Sequence, residues 1–291
     1  MIPWISRAKR KIIYFCPPKI AHSIIFLLEK KKIISWENPT SYDEKIHWLS
    51  VYLYDEDYGK YADKYEVRKY IAEIGLEEIL IPLYGVYKTT KEISYESLPE
   101  KCILKATHGS GDRFYEIIKN KKNINFKQVI KKFEKAIDAN YALRACEYQY
   151  KSIIPQIICE ELLQNNEKEW LTDYKVVCSY GNPYAILVCS NRDGGRDYFD
   201  VDWNYLEYVK EEYRCKSIIE KPEVLKELLQ YATIISKPFP LARVDFYILN
   251  NKIYFGEITL TPSNGCHTYL TEYGQRELGK IVKLPNEKNT K

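Results

Sequence analysis

Arg243, Asp245 and Glu257 are the residues whose types and spacing point most directly to chemistry. They lie in Leu241-Ala-Arg-Val-Asp-Phe-Tyr-Ile-Leu-Asn-Asn-Lys-Ile-Tyr-Phe-Gly-Glu-Ile-Thr-Leu-Thr-Pro-Ser-Asn-Gly265, which reads as a β-hairpin. Ala242 to Leu249 and Ile253 to Leu260 are rich in Val, Ile, Tyr and Phe and meet around Asn250-Asn251-Lys252. A two-residue turn at Asn250-Asn251 places Asp245 opposite Gly256, with Glu257 on the other face. A three-residue turn, Asn250 to Lys252, sets Asp245 opposite Glu257. Facing carboxylates repel unless a cation lies between them. Oxygen ligands suit Mg²⁺, which takes one or two carboxylates together with substrate phosphates. Arg243, two residues before Asp245, shares its strand face. A metal-binding pair beside an arginine points to phosphate chemistry. The competing reading is a solvated, salt-bridged hairpin surface. Against it, Phe246, Ile248, Ile253, Phe255 and Ile258 leave little of either strand for water.

Three further charged stations precede this hairpin. Lys64 lies in Ala62-Asp-Lys-Tyr-Glu-Val-Arg-Lys-Tyr-Ile71, and Lys105 ends a strand before His108-Gly-Ser-Gly-Asp112. Glu160-Glu161 follows a strand after Pro155. Lysines offset phosphate charge, loop amides donate to phosphate oxygens and carboxylates hold a metal, so in this order the stations form a nucleotide cradle. Each alone is weak: a lone lysine is usually a solvated charge, and Gly109-Ser-Gly111 by itself is a turn.

The elements that must position these stations follow from periodicity and caps. Thr40 or Ser41 caps a helix through Ile46, Trp48 and Leu49, with Glu44 completing a capping box from Ser41. A second helix runs from about Tyr61 to Ile74 and ends at Gly75. Ile79 to Ile81, Gly85 to Tyr87, Cys102 to Ala106 and Tyr115 to Ile118 read as strands, and Phe126 to Asn140 as a helix of 3.6 period. Gln156 to Cys159 is a strand, and Tyr174 to Ser179 with Tyr184 to Cys189 forms a hairpin about Gly181-Asn182. A loop rich in Gly and charge, Asn191-Arg-Asp-Gly-Gly-Arg-Asp197, comes next. Residues 222–236 form a helix, and the chain ends in a polar tail. Strands dominate the second two-thirds without strict alternation with helices, which predicts an α+β, antiparallel-dominated fold.

At 291 residues the chain holds one large domain or two small ones, and a net charge of +4 gives no cause to invoke nucleic acid. Basic residues gather at Arg7, Lys9, Arg10 and Lys11 and again at Lys30-Lys31-Lys32. Between them Ile20 to Leu28 is too short to span a bilayer, and no small-residue cleavage site follows it. Residues 7–32 therefore fit either peripheral contact with an anionic membrane surface or a docking helix with a solvated basic edge. Eight cysteines show no C-x-x-C and no zinc spacing, and several sit inside apolar strand-like runs. Reduced thiols and a cytoplasmic location are the expectation. Four scattered histidines argue against a His-based metal site.

Taken in order, the stations resemble the ATP-grasp superfamily, most closely its TupA-like branch, named for teichuronopeptide biosynthesis. The likeness is carried by Asn38-Pro-Thr-Ser-Tyr-Asp-Glu-Lys-Ile-His-Trp-Leu49, Ala62-Asp-Lys-Tyr-Glu-Val-Arg68 and Leu104-Lys-Ala-Thr-His-Gly-Ser-Gly111. It continues through Asp173-Tyr-Lys175, Asp200-Val-Asp-Trp-Asn204, Pro240-Leu-Ala-Arg-Val-Asp245 and Ile253-Tyr-Phe-Gly-Glu-Ile-Thr259, so that it spans roughly residues 36–285. The resemblance implies two α+β lobes with ATP between antiparallel sheets, preceded by a short helical segment. On that division residues 1–60 are the helical segment and 61–285 the ATP-grasp domain. The small lobe covers about 99–157, the large lobe 158–285, and the polar tail 286–291.

The resemblance implies ATP and Mg²⁺ as cofactors, and a role for each station. Lys64 and Lys105 look like phosphate-contacting lysines, and His108, Gly109, Ser110 and Gly111 like the flexible loop that closes over the phosphates. Glu160 to Leu163 looks like the hinge between lobes whose backbone meets adenine, with Glu161 toward its amino group or the ribose. Asp173 is a candidate for a ribose hydroxyl and Lys175 for a phosphate. Asp245 and Glu257 look like the Mg²⁺ ligands, and Arg243 like the group stabilising the acyl-phosphate and its transition state. Because the pattern requires Asp245 and Glu257 to converge, it favours the three-residue turn, which also brings Thr259 opposite Arg243. Thr259 is the third candidate metal ligand and a departure: many ATP-grasp enzymes carry Asn there, and a hydroxyl ligates a metal, directly or through water, more weakly than an amide oxygen. Asp112-Arg113 after the glycine loop is a second, being less neutral than usual.

The implied reaction is amide formation through an acyl-phosphate, which asks the protein for positioning and charge stabilisation rather than a nucleophile. Arg192 and Arg196 are expected to hold the acceptor carboxylate with their bidentate forks, and Ser263, Asn264 and Gly265 to shape the pocket floor. The family context implies an amine or amino acid joined to a uronic acid of a bacterial capsular or cell-surface polysaccharide or its precursor. The expected location is the cytoplasm, at the inner face of the membrane. The 27 tyrosines suit sugar stacking, though their strand and helix spacing places most of them in a core. Two rivals use the same cradle: an ATP-dependent sugar kinase, and a non-catalytic nucleotide-binding assembly factor.

Overall fold

The computed structural model describes residues 12–164, 171–190 and 194–285, the side chains of residues 144 and 145 excepted. Its longer helical elements are α1 (Pro18–Lys30), α2 (Tyr42–Tyr52), α3 (Gly59–Ala62), α4 (Glu66–Glu73), α5 (Phe126–Ile137), α6 (Tyr141–Ala145), α7 (Leu225–Ser236) and α8 (Glu272–Ile281). No described helix is long and apolar enough to cross a membrane.

The strands form two sheets, and every pairing between the named strands is antiparallel. The smaller sheet holds β1 (Leu83–Tyr87), β2 (Cys102–Ala106), β3 (Tyr115–Ile118) and β4 (Ile157–Glu160), in the order β1-β4-β2-β3. On β2, Cys102, Leu104 and Ala106 are buried while Ile103 and Lys105 between them are half-buried. Strand geometry sends alternate side chains to opposite faces, so β2 packs one face on Val129, Phe133 and Ala136 of α5 and turns Lys105 the other way. The larger sheet holds β5 (Asp173–Ser179), β6 (Asn182–Cys189), β7 (Arg196–Phe199), β8 (Tyr205–Leu206), β9 (Ala242–Leu249) and β10 (Lys252–Thr259), in the order β10-β9-β5-β6-β7-β8. Helix α7 covers β5, β6 and β9, while α2 packs on α8 and on the turn Pro262–Gly265. The fold is α+β, as the mixed pattern predicts.

Several elements depart from the sequence reading in ways that matter for the site. The capping box of α2 forms: the Ser41 hydroxyl accepts from the Glu44 N–H (3.3 Å) and the Ser41 N–H donates to the Glu44 carboxylate (2.9 Å). The helix expected over 61–74 is instead broken. Asp63 accepts from the N–H groups of Tyr65 (2.7 Å) and Glu66 (2.9 Å), starting α4 afresh. That break frees the Lys64 N–H to bond the Thr107 carbonyl (3.2 Å), which seats Lys64 beside the loop after β2. The strand expected at Ile79 to Ile81 is a single helical turn followed by an isolated bridge from Leu80 to Phe255. The β5–β6 turn is Tyr180-Gly181 rather than Gly181-Asn182, since Ser179 pairs with Asn182.

The most consequential correction is at the β9–β10 hairpin. Leu249 pairs with Lys252, so the turn has two residues, Asn250 and Asn251, with φ of 52° and 57°. Asparagine tolerates this left-handed conformation, and two such residues make the turn that suits a twisted hairpin. The three-residue turn is therefore absent, yet Glu257 still pairs with Asp245 and Thr259 with Arg243. The register shifts between Phe255 and Glu257, where Gly256 is an extra residue in β10. A one-residue bulge does what a one-residue longer turn would do: it moves every later side chain of that strand to the opposite face. A Cβ at position 256 would lie 3.0 Å from the Asp245 carbonyl oxygen, which explains the glycine.

Candidate active site

The exposed faces of the two sheets bound a cleft of about 450 Å³. The small-sheet wall is Ile103 and Lys105 of β2 and Tyr115 and Ile117 of β3, under the loop Gly109–Gly111. The large-sheet wall is Asp173 and Lys175 of β5, Asp245 and Tyr247 of β9, and Gly256 and Glu257 of β10. Glu160 to Gln164 closes one end as β4 gives way to a connecting segment, with Ile81 and Leu171 alongside. Lys64, Lys105, Gly109, Ser110, Gly111, Glu160, Glu161, Leu163, Asp173, Lys175, Asp245 and Glu257 thus meet around one space.

On the small-sheet side the cations are held by specific acceptors. The Lys64 ammonium donates to the Gly109 carbonyl (2.6 Å), tying the glycine loop to the α3–α4 break. Burial lowers its pKa, Glu257 pulls the other way, and nearby Lys105 adds to the lowering. Lys105 and Arg68 share the buried Glu160 carboxylate, at 2.8 and 2.9 Å. The Glu160 side chain is therefore a counter-ion inside the small-sheet wall, and the Glu161 N–H bonds the Pro82 carbonyl (2.9 Å). Gly111 has φ of 92°, a conformation that L side chains rarely adopt. His108 is not brought to the cleft: its ring Nε2 donates to the Ala136 and Ala139 carbonyls at 3.1 Å, at the end of α5.

On the large-sheet side one carboxylate organises three neighbours. The Arg243 guanidinium grips Asp245 through Nε and a terminal nitrogen, each at 2.7 Å. Lys175 reaches Asp245 at 2.7 Å and Asp173 at 3.3 Å. Burial alone would raise the Asp245 pKa, but Arg243 and Lys175 together hold it below the ordinary carboxylate value. For Asp173, burial wins over the opposing pull of Lys175, and its pKa is raised. Burial works to lower the Lys175 pKa, yet Asp245 overrides it and the pKa is raised. Arg243 and Thr259 stand behind the cleft wall. The Thr259 hydroxyl accepts from Arg243 (3.0 Å) and donates to Glu257 (3.1 Å), while the Glu257 side chain stays 42% exposed.

The donor set fits a hard divalent cation. A carboxylate offers about four lone-pair sites, and from the described residues Asp245 accepts three hydrogen bonds, one on Oδ1 and two on Oδ2. Among the described residues that leaves one Oδ1 site on Asp245, which pairs across the strands with the partly exposed Glu257. Among the described residues no group of three or more His, Cys, Asp or Glu is placed to hold a metal. Two carboxylates alone suit an ion that draws its remaining ligands from phosphate and water.

The acceptor end is more dispersed. Arg192 lies outside the described residues. Arg196 opens β7 with its guanidinium 4.6 Å from the Tyr269 ring centre, outside the cleft lining. Ser263, Asn264 and Gly265 form a turn against α2, where a Cβ on Gly265 would lie 2.7 Å from His47. They do not line the cleft. Arg68, bound to Glu160, and Tyr247, in the cleft wall, are not apparent as site residues from the sequence. The signal for Arg68 was its place in the Lys64 motif, and that for Tyr247 was its shared strand face with Arg243 and Asp245.

Comparison with known proteins adds the following. The family model described as TupA-like ATPgrasp matches residues 44–283. No curated protein matches the chain. Among solved structures, the chain is similar to a D-alanine–D-alanine ligase from Bacillus anthracis, at 15% identity over 78% of this chain and 67% of that one, with a TM-score of 0.49. It is also similar to an L-amino acid ligase from Bacillus licheniformis, at 13% identity over 79% and 52% with a TM-score of 0.47. A biotin carboxylase–β,γ-ATP complex from Campylobacter jejuni matches at 16% over 81% and 50% with a TM-score of 0.43. The chain spans from 50% to 67% of the length of these structures.

Proposed function

The chain belongs to the TupA-like ATP-grasp family, and on that premise we propose that it is an ADP-forming ligase that joins a carboxylate to an amine. The observation that carries the reading is the Asp245–Glu257 pair, aligned by the Gly256 bulge and facing Lys64 and Lys105 across the cleft. ATP lies between the sheets in this reading, with its base toward Glu161 to Leu163 and its ribose toward Asp173. Mg²⁺, held by Asp245 and Glu257, supplies neutralising charge for the phosphates. Lys64, Lys105 and the Gly109-Ser110-Gly111 backbone hold the phosphate chain, and Lys175 reaches it from the opposite wall. A substrate carboxylate oxygen attacks the γ-phosphorus, the bond to the ADP oxygen breaks, and an acyl-phosphate forms. The amine nitrogen then attacks the acyl carbon, inorganic phosphate leaves, and the amine gives up its proton. Arg243 stabilises the charge that develops on the transferring group, a preorganised electrostatic role. Thr259 is assigned to orienting Glu257 and Arg243, since its hydroxyl is engaged with both. His108 supports the glycine loop from behind.

The substrates proposed are a uronic acid of a bacterial capsular or cell-surface polysaccharide, or its precursor, and an amine or amino acid. Arg196, with Arg192, is assigned to the acceptor carboxylate, and the reaction is placed in the cytoplasm at the inner face of the membrane. The test is an ADP-release screen of uronic-acid nucleotides against amino acids. Release that requires both a carboxylate and an amine supports the ligase. ADP released from a sugar without any amine would identify a kinase instead. No release with any pair, under conditions where ATP binds, would favour a non-catalytic nucleotide-binding factor.

A further inference from the structure

Helix α1 has two apolar faces, and among the described residues the body of the protein covers only one of them. Ala21, His22, Ile25 and Phe26 are buried. The helix is stapled in place: Trp36 donates to the Ser23 hydroxyl (2.9 Å), and Lys30 bonds Asp43 and the His267 carbonyl, each at 2.7 Å. It is fixed, so its outer face is no lid awaiting a place in the fold. That outer face carries Ile20 (51% exposed), Leu27 (49%) and Leu28 (39%), with half-buried Ile24 between them. The spacing i, i+4, i+7, i+8 lines them up as one stripe. Phe15 (71%) before the helix and Ile33 (87%) after it are also exposed apolar residues.

Charge decides what covers the stripe. Between residues 12 and 33 the chain has Lys19, Lys30, Lys31 and Lys32 against a single acid, Glu29. Lys30 is committed inward to Asp43, and Lys32 pairs with Glu272 at the surface. Lys19 and Lys31 are exposed near the two ends of the stripe. The sequence just before it adds Arg7, Lys9, Arg10 and Lys11. A second copy laid on this face would set like charges against each other. The stripe is also the convex side of a helix rather than a groove, which suits insertion into a headgroup layer better than capture of a peptide.

We propose that the outer face of α1 docks the protein on an anionic lipid bilayer, with Phe15, Ile20, Leu27 and Ile33 entering the headgroup boundary and the lysines meeting lipid phosphates. This form of peripheral binding combines apolar burial with electrostatic attraction. It deepens the location given above and rests on that part of the reading alone. Vesicle binding and ADP release are separate readouts, so each can fail without the other.

The test is co-sedimentation of the full chain with vesicles of phosphatidylcholine alone and of phosphatidylcholine with phosphatidylglycerol. The protein sediments with the anionic vesicles only, and less so as salt is raised. Leu27→Glu lowers the partition coefficient about tenfold or more, and Lys31→Glu about fivefold. Both leave thermal melting and ADP release at the parental values. Phe15→Ala, a truncation at an exposed position, serves as a second variant. A parental protein that ignores anionic vesicles overturns the proposal, and so does equal sedimentation of Leu27→Glu and Phe15→Ala with the parent. A dimer that Leu27→Glu dissociates, with no vesicle binding, would reassign the stripe to a second copy.

Discussion

Asp43 and Asp245 are both buried carboxylates held by cations, and what separates them is the number of donors each receives. Asp43, 1% exposed, accepts on Oδ1 from the His267 ring (2.6 Å) and the His267 N–H (3.4 Å). On Oδ2 it accepts from Lys30 and Gln275, each at 2.7 Å. Four donors fill the four lone-pair sites, and the network ties α1, α2 and α8 together. Among the described residues Asp245 receives three, and it pairs across the strands with the partly exposed Glu257. Both carboxylates ionise more readily than usual. Burial opposes this in each case, but His267 and Lys30 bring Asp43 to about 2, and Arg243 with Lys175 lowers Asp245. A depressed pKa therefore does not distinguish structure from site; unfilled acceptor capacity beside a second carboxylate does.

The largest expected effect breaks the saturated network. Asp43→Asn leaves Lys30 without its buried counter-charge and removes acceptors from His267, so it should cost about 3–5 kcal/mol of stability. Denaturant unfolding measures this, while ADP release per folded molecule should hold. A loss below about 1 kcal/mol, within the range of exposed pairs, would end the contrast with Asp245.

A third buried carboxylate, Glu147, sharpens the comparison, because its hydrogen bond from the Thr261 hydroxyl brings no positive charge. Burial raises its pKa to about 7, the Thr261 bond works the other way, and Glu257 adds to the rise. With the folded pKa above the unfolded one, the native state binds the extra proton between roughly pH 4.5 and 7. Stability should fall as pH rises through that window and level off above it, by an order of about 3 kcal/mol. Glu147→Gln should flatten this slope in melting curves taken from pH 5 to 8. An unchanged slope would mean that Glu147 is not its source.

Smaller effects are expected at the bulge and behind it. Gly256→Ala forces a Cβ toward the Asp245 carbonyl and should cost about 1–2 kcal/mol. ADP release should fall further than the melting shift explains, because the bulge aligns Glu257. Thr259→Val removes one hydroxyl that joins Arg243 to Glu257, so kcat should fall about tenfold, the equivalent of one hydrogen bond to charged groups. Thr259→Ser should restore most of it.

Much of this architecture is legible in local pattern. The alternation of Cys102 to Ala106 marks a half-buried strand, and Ser41 with Glu44 marks a helix start; both form as read. What escapes the sequence is set by single residues or by distance. Asp63 caps a new helix inside a helical pattern, and Gly256 breaks a period-two pattern without leaving any sign beyond a glycine. β8 has only two residues, and on α8 just Gly274, Gln275, Leu278 and Gly279 are buried, too little apolar signal for a stripe. The Asp43–His267 bond joins positions 224 residues apart, which no local rule reaches. For the cleft itself, Lys64, Lys105, Asp173, Lys175, Asp245 and Glu257 lie together, as their charge suggests, whereas Arg196, His108, Ser263, Asn264 and Gly265 lie outside its lining.

The central claim is that Asp245, left one donor short and paired with Glu257 across the bulge, holds the cation that phosphoryl transfer needs. The direct measurement is steady-state ADP release by Asp245→Asn at saturating ATP and Mg²⁺, with the substrate pair that the screen identifies. We predict a fall of about a thousandfold or more, in line with the loss of a principal electrostatic group, in a protein that remains folded and still binds ATP. ADP release at the parental rate from Asp245→Asn would contradict the account.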